Sequence, residues 1–373
     1  MKRKLPKLIS INILILLLFC SVVEILLGKW LENFLGNRNF KQIPNLNKNI
    51  VLTYDARWLY GSRKKSNIYY TRDKLGYRSR NPFPKKPIVL TIGGSTTDQR
   101  YVTDGETWQD YLDIAIPNYD FINGGVDGQS SYGHLKSIRE WHSKSLNEKN
   151  ISAIIYYIGL NDRELINNKW TNSDFAKTST RYIKNLMKDN SFFISKILLI
   201  RNRIYFHLNT ARESIDNPLH SHKRRTTEFL GKGIRYELKE EIDLSNHLLY
   251  KEIFSNLIIE TRKNFPSSRI IIIQQQIPGC NFISKEIVLD RHPSKSIVYN
   301  KYQLGSDHCS HLLKVYNIQN KIIEKSSFKE DIKVFPMYLQ KLIKDEDVYD
   351  YVHTNRSGSK VISEYIKSIM IKL

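Results

Sequence analysis

The sequence predicts an α/β fold built on a parallel sheet, preceded by a membrane-spanning N-terminal helix. Three observations carry this reading. Continuous apolar runs of strand length end in turns rich in Gly, Ser and Asn. Patterns of helical spacing alternate with those runs. A long apolar stretch follows a strongly basic N-terminus.

The apolar run Pro87-Ile88-Val89-Leu90-Thr91-Ile92 precedes Gly93-Gly94-Ser95-Thr96-Thr97. Such a run before a Gly/Ser turn is the pattern of a buried parallel strand feeding a helix. Tyr119 to Ile122 forms a second strand, and a Gly-rich loop over 124–128 follows it. Ile151 to Ile158 is a third, ending in Gly159-Leu160-Asn161-Asp162. Arg269 to Gln275 is a fourth, preceded by a helix marked by Leu248, Ile253, Leu257 and Ile258. Helices are also expected over 106–114 and 132–145. Strands alternating with helices argue for a parallel sheet. The chain ends in a helix from about Ser357, whose Val361, Ile362, Tyr365, Ile366 and Ile369 recur at helical spacing and should face the core.

The N-terminus sets the expected location. Lys2, Arg3, Lys4 and Lys7 precede an apolar run from Leu8 to Leu27. A helix of about 20 residues is roughly 30 Å long, the thickness of a bilayer's hydrocarbon core. Glu24 is the one charge inside the run, and Trp30 stands where an interfacial aromatic belongs. Ser21-Val22-Val23-Glu24 is a poor exit for a cleaved signal peptide, and Phe19 before Cys20 is wrong for a lipoprotein signal. The expectation is therefore an uncleaved, single-pass anchor in the cytoplasmic membrane. Its basic end would be cytoplasmic and the rest of the chain periplasmic or extracellular. Residues 1–29 form the cytoplasmic tip and anchor in this reading, 30–85 a stalk and lead-in, and 86–373 the main domain. A basic stretch over 165–240 breaks the alternation and is expected to be a helical insertion.

The chain has 373 residues and a formal net charge of +21. A charge this large bears on solubility and partners and not on fold. It favours anionic surfaces such as phospholipid head groups or acidic glycans. The chain has no zinc finger, no RNA-binding signature and no basic stripe interleaved with aromatics, so no nucleic-acid partner is expected. Of three cysteines, Cys280 and Cys309 could pair in an oxidising compartment. No Cys/His spacing suits a metal, and no cofactor is expected.

Four blocks carry chemistry, the first three at the end of a predicted strand and the last just before the C-terminal helix. Ser95 follows two glycines at the start of a helix. Taken alone, that turn is equally a phosphate nest or a capping serine. Asn123-Gly124-Gly125-Val126-Asp127-Gly128 lets backbone N–H groups approach a ligand, or is simply a flexible turn. Asn161 offers an amide donor, or makes an Asx turn. In Asp350-Tyr351-Val352-His353, three-residue spacing lets a carboxylate hold one imidazole nitrogen and leave the other as a base.

In this order the blocks resemble those of the SGNH (GDSL-like) hydrolase superfamily, which supplies Ser, Gly, Asn and His from successive blocks. Gly93-Gly94-Ser95-Thr96-Thr97 is similar to its Gly-Gly-Ser-Thr-Thr variant, and the glycine block to Asn-x-Gly-Val-x-Gly ending at Gly128. Gly159 to Asp162 is similar to Gly-x-Asn-Asp. Asp350 to His353 is similar to Asp-x-x-His, with Gly358 five residues on. Leu75-Gly76-Tyr77-Arg78 also resembles a segment ahead of the domain in membrane-anchored bacterial members. The resemblance covers about 70–163 and 244–373. It implies a flavodoxin-like three-layer α/β/α fold and ester hydrolysis by Ser95, His353 and Asp350. The oxyanion hole would come from Ser95, Gly128 and Asn161, without metal or cofactor. The expected substrate is an acyl ester, of an anionic envelope glycan or a lipid. The same motifs would serve an O-acyltransferase acting on a surface polysaccharide. The same fold would also serve a non-catalytic glycan-binding module.

Overall fold

A computed structural model describes residues 4–27, 43, 46, 48–55, 67–78, 85–146, 150–166, 191–194, 196–197, 235–237, 244–277, 281–283, 286–288, 306–350 and 352–372. The chain divides into two compact units, Met1–Lys41 with Phe175–Asn217, and Gln42–Asp174 with Pro218–Leu373. Most of the expected 165–240 insertion and the Cys280–Cys309 pairing lie outside the described residues.

In the first unit, α1 runs Lys4–Leu27. Its apolar side chains Ile11, Ile13 to Phe19, Val22 and Ile25 to Leu27 are exposed. Among the described residues no helix is long and apolar enough to cross a membrane, so the expected transmembrane helix is not supported. The Glu24 carboxylate accepts the backbone N–H groups of Phe192 and Phe193 at 3.1 and 3.2 Å. A carboxylate at the start of the short helix there satisfies orphan amide donors and suits the helix dipole.

The second unit begins with an antiparallel hairpin, β1 (Ile50–Asp55) and β2 (Asn67–Arg72). A parallel sheet follows, formed by β3 (Ile88–Gly93), β4 (Asp120–Asn123) and β5 (Ile151–Ile158). Further on come β6 (Arg235–Glu237) and β7 (Arg269–Gln274), then β8 (Asn281–Ile283), β9 (Glu286–Val288) and β10 (Ile332–Pro336). The five-stranded sheet has the order β10-β7-β5-β3-β4, with every described pairing in it parallel. Strands β6, β9 and β8 form a separate antiparallel sheet. The stretch expected to be a helical insertion contains a strand at 235–237, where Tyr236 pairs with Ile287.

Helices cover both faces of the sheet. They include α2 (Ser95–Asp98), α3 (Trp108–Ala115), α4 (Ser131–Ser137), α5 (Leu248–Asn264), α6 (Ser306–Glu324) and α7 (Arg356–Met370). Side chains alternate along each strand, so successive residues serve opposite layers. Leu90, Ile92, Ile154, Tyr156, Ile270 and Ile272 pack with α4, α5 and α6. Val89, Ile155, Tyr157, Ile271 and Ile273 pack with Trp108 and Leu112 of α3 and with Ile362, Ile366 and Ile369 of α7. Fully burying an Ile or Leu stabilises by about 1.5–3 kcal/mol, which is why strands covered on both faces are apolar throughout. The result is the expected three-layer arrangement.

Lead-in residues from Gln42 onward belong to the same unit as the sheet. Trp141 donates its indole N–H to the Leu75 carbonyl at 2.8 Å, and Tyr77 stacks on Trp141 with ring centroids 4.7 Å apart. The reason lies in two arginines. Arg72 is buried and pairs with Asp98 at 2.6 Å. Arg78 is buried and donates to the carbonyls of Asp98, Gln99 and Val102.

Candidate active site

Strand β3 lies between β4 and β5, and the chain passes from β4 over β3 to reach β5. That reversal is a topological switch point, where open parallel sheets open a crevice at the strands' carboxyl ends. Ser95, Gly128 and Asn161 follow β3, β4 and β5 there.

Ser95 starts α2, with Gly94 as its N-cap residue. The first N–H groups of a helix have no intrahelical acceptor, so they point at whatever lies beyond the N-terminus. Space explains Gly94: a side chain there would collide with the Asn161 amide, which itself donates to the Gln129 carbonyl at 2.8 Å. The Asn161 amide is thereby held against the backbone that carries Ser95. Gly128 adopts φ +75°, a left-handed conformation suited to glycine. Asn123 ties this loop to the serine turn. Its amide donates to the Thr97 carbonyl at 2.7 Å, and its side-chain oxygen accepts the Gly125 N–H at 2.9 Å.

His353 joins the group from a loop just ahead of α7. Its Nε2 lies 2.7 Å from Ser95 Oγ, and its Nδ1 lies 2.7 Å from Asp350 Oδ2. The other oxygen of Asp350 accepts the N–H groups of Val352 and His353 at 2.8 and 2.7 Å. The carboxylate is therefore fixed before it orients the ring. Tyr349 lies almost parallel to the imidazole, with centroids 5.6 Å apart and planes 9° apart. The loop is clamped to the helix start. Asn355 caps α7 by accepting from Ser357 and Gly358, and a side chain on Gly358 would collide with the Asp347 carbonyl.

The electrostatics favour a strong base. Burial disfavours the charged imidazolium, but the Asp350 carboxylate more than offsets it through charge and hydrogen bond. Asp127 and Asp98 add to this, and the His353 pKa is raised above the ordinary 6.5.

The structure thus brings Ser95, His353 and Asp350 into one hydrogen-bonded chain and sets Asn161 beside it. Sequence reasoning missed the supports. Gln99 is buried and its side-chain amide donates to Thr354 Oγ1 at 2.9 Å and Ser359 Oγ at 2.7 Å, while its Oε1 accepts the Trp108 N–H at 2.9 Å. It joins the serine helix to the histidine loop. Asp162 is buried and accepts from Ser131 N–H, Ser131 Oγ and Tyr250 Oη, holding the Asn161 turn to α4. The one available signal for Asp162 was its place beside Asn161; nothing local marks Gln99.

No protein-family model matches the chain, and no curated relative matches it. Solved structures do. A structure from Bacteroides ovatus described as a GDSL-like lipase is 12% identical with a TM-score of 0.40, the match covering 83% of this chain and 57% of that one. The chain therefore spans little more than half the length of that protein. A member of the lipolytic G-D-S-L family from Veillonella parvula is 14% identical, TM-score 0.40, covering 77% of this chain and 99% of that one. A carbohydrate acetylesterase from Sinorhizobium meliloti is 9% identical, TM-score 0.38, covering 77% and 99%. The solved structures to which this chain is similar include GDSL-type lipases and esterases, the group that its four sequence blocks resemble.

Proposed function

We propose that the chain is a serine ester hydrolase of the SGNH type, with Ser95 as nucleophile, His353 as general base and Asp350 as the group that orients it. One observation carries this reading. The Asp350–His353–Ser95 chain is closed at 2.7 Å on both sides of the imidazole, at the carboxyl end of β3. A serine hydroxyl becomes nucleophilic when a base takes its proton, and the base works when a third group fixes its tautomer.

In the proposed reaction, Ser95 Oγ attacks the ester carbonyl and His353 Nε2 takes its proton. Asp350 stabilises the imidazolium. The oxyanion is met by the Ser95 N–H and the second amide N–H of Asn161, with Gly128 in its left-handed turn supplying the third donor. The imidazolium then gives its proton to the leaving alcohol. Water, deprotonated by His353, attacks the acyl-enzyme, and the acid departs with Ser95 regenerated.

The direct test is reaction of the full chain with a fluorophosphonate, followed by mass mapping. The expected adduct sits on Ser95 and is lost in His353→Ala. A folded protein that takes no adduct on Ser95 would sink the proposal.

The raised His353 pKa gives a pH prediction. The base must be neutral, so kcat/KM for a short acyl ester falls as pH drops through a value above 6.5. Asp350→Asn removes the main cause of the rise. Its acid limb is expected at lower pH, with a rate lower by about 10²–10⁴. An unmoved limb would show that Asp350 does not act on this imidazole.

The basic N-terminus, the exposed apolar side chains of α1 and the net charge of +21 support a reading of location. We infer that residues 1–29 hold the chain at the cytoplasmic membrane and that the site works outside the cytoplasm, on acyl esters of envelope glycans or lipids. Extraction of the full chain by alkaline carbonate, or its resistance to protease in spheroplasts, would contradict this.

A further inference from the structure

Gln274 ends β7, Gln275 and Gln276 follow it directly, and all three are buried. The flanking two have structural work. Gln274 donates to the Tyr316 carbonyl, Gln319 and Asn320 on α6. Gln276 holds Leu342 and Ile343 of the chain that follows β10. The middle one points to the site. Its Nε2 donates to Thr96 Oγ1 at 2.6 Å, and its Oε1 accepts the Leu160 N–H at 2.9 Å. Thr96 follows Ser95, and Leu160 precedes Asn161. One side chain therefore joins the turn that carries one oxyanion donor to the turn that carries another.

We propose that Gln275 is a positioning residue that sets the spacing between the Ser95 N–H and the Asn161 amide, acting through Thr96 and Leu160. The inference rests on the ester-hydrolase reading and adds to it a residue just past β7, a strand that supplies no group to the reaction. Its chemistry fits the task. The two turns present one hydroxyl acceptor and one N–H donor, and a primary amide supplies the complementary donor and acceptor in a rigid plane. Gln275 is itself held. Its carbonyl accepts from Tyr316 Oη at 2.5 Å, and its N–H donates to the Ile158 carbonyl at 3.4 Å. The same Tyr316 ring covers Gly159, which adopts φ +132° and leaves no room for a side chain. The strut thus stands on a packed base.

Oxyanion donors act in the transition state and touch the ground-state ester far less. A misplaced donor should therefore lower kcat and spare KM. For Gln275→Met, which keeps the volume and removes both bonds, kcat for p-nitrophenyl acetate is expected to fall about 10–100-fold, with KM within about two-fold. Phosphonate labelling of Ser95 should slow by a similar factor, since that adduct fills the same hole. In an Asn161→Ala background the same replacement should cost less than about three-fold, because the donor it positions is gone. Gln275→Glu, whose carboxylate can accept from both Thr96 Oγ1 and Leu160 N–H, should recover much of the loss.

A purely structural glutamine would give a different pattern. Loss of kcat in full and multiplicatively in the Asn161→Ala background would overturn the proposal, as would unchanged kcat in folded Gln275→Met. If Gln275→Met does not fold by thermal melting, Thr96→Val cuts one arm of the strut and must give the same kcat-specific, Asn161-dependent loss. Wild-type protein lacking Ser95-dependent turnover would fail earlier, and would overturn the ester-hydrolase reading and this role together.

Discussion

Ser95→Ala is expected to reduce turnover of a short acyl ester by at least about 10⁴-fold while leaving the melting temperature within a few degrees. The size of the effect follows from how the three groups depend on one another. Without the hydroxyl, His353 has no proton to take, and Asp350 orients a base with no task. His353→Ala should therefore cost a similar factor, and the double variant little more than either alone. The fold should not suffer. Ser95 is part-exposed at the start of a four-residue helix, and the turn around it is held by backbone bonds from Thr97 and Asp98 to the Gly94 carbonyl. The check is steady-state kinetics on all three variants beside thermal melts. Residual activity above about 1% in Ser95→Ala would exclude a serine nucleophile. A double variant whose loss equals the product of the two single losses would exclude the coupled unit.

The sheet and the reacting groups were legible in the sequence for different reasons. Strands β3, β5 and β7 are covered on both faces, so burial alone forces continuous apolar runs. β10 escaped because it is an edge strand: Lys333 is exposed, Val334 to Pro336 are only partly buried, and nothing continuous marks it. The hairpin β1–β2 escaped because half of β2 faces inward through Tyr70 and Arg72, and a charge is ordinarily assigned to the surface. Asp350 and His353 could be paired because their contact is local. Ser95, Gly128 and Asn161 were marked by glycines and by strand ends. The struts were not legible. Gln99, Gln275 and Arg72 are ordinary residues in sequence, and each gains its meaning from partners brought near by the fold. The partners of Glu24 in the N-terminal run were not legible either, because Phe192 and Phe193 stand far along the chain from it.

Arg72 and Asp98 give the largest expected effect on stability. The pair is 2.6 Å apart, and the side chains are 2% and 1% exposed. Arg72 also donates to Tyr70 Oη and to the carbonyls of Gly76 and Gly125. Tyr70 Oη in turn donates to Asp98 at 2.8 Å. Burial works against the Arg72 charge, but Asp98 overrides it and the guanidinium stays protonated. Asp98→Asn would leave that cation buried without its counter-charge. Removing one partner of such a pair typically costs about 3–5 kcal/mol, far more than an exposed ion pair would. The expected result is a lower denaturation midpoint in urea with an unchanged slope. Activity per folded molecule should fall too, because Asp98 closes the helix that Ser95 opens and Arg72 links that helix to the loop before Gly128. The control is Arg72→Met combined with Asp98→Asn, which removes both charges and should recover part of the lost stability. If Asp98→Asn costs less than about 1 kcal/mol, the pair is not holding the lead-in to the serine helix, and the two should then be separable without loss of the site.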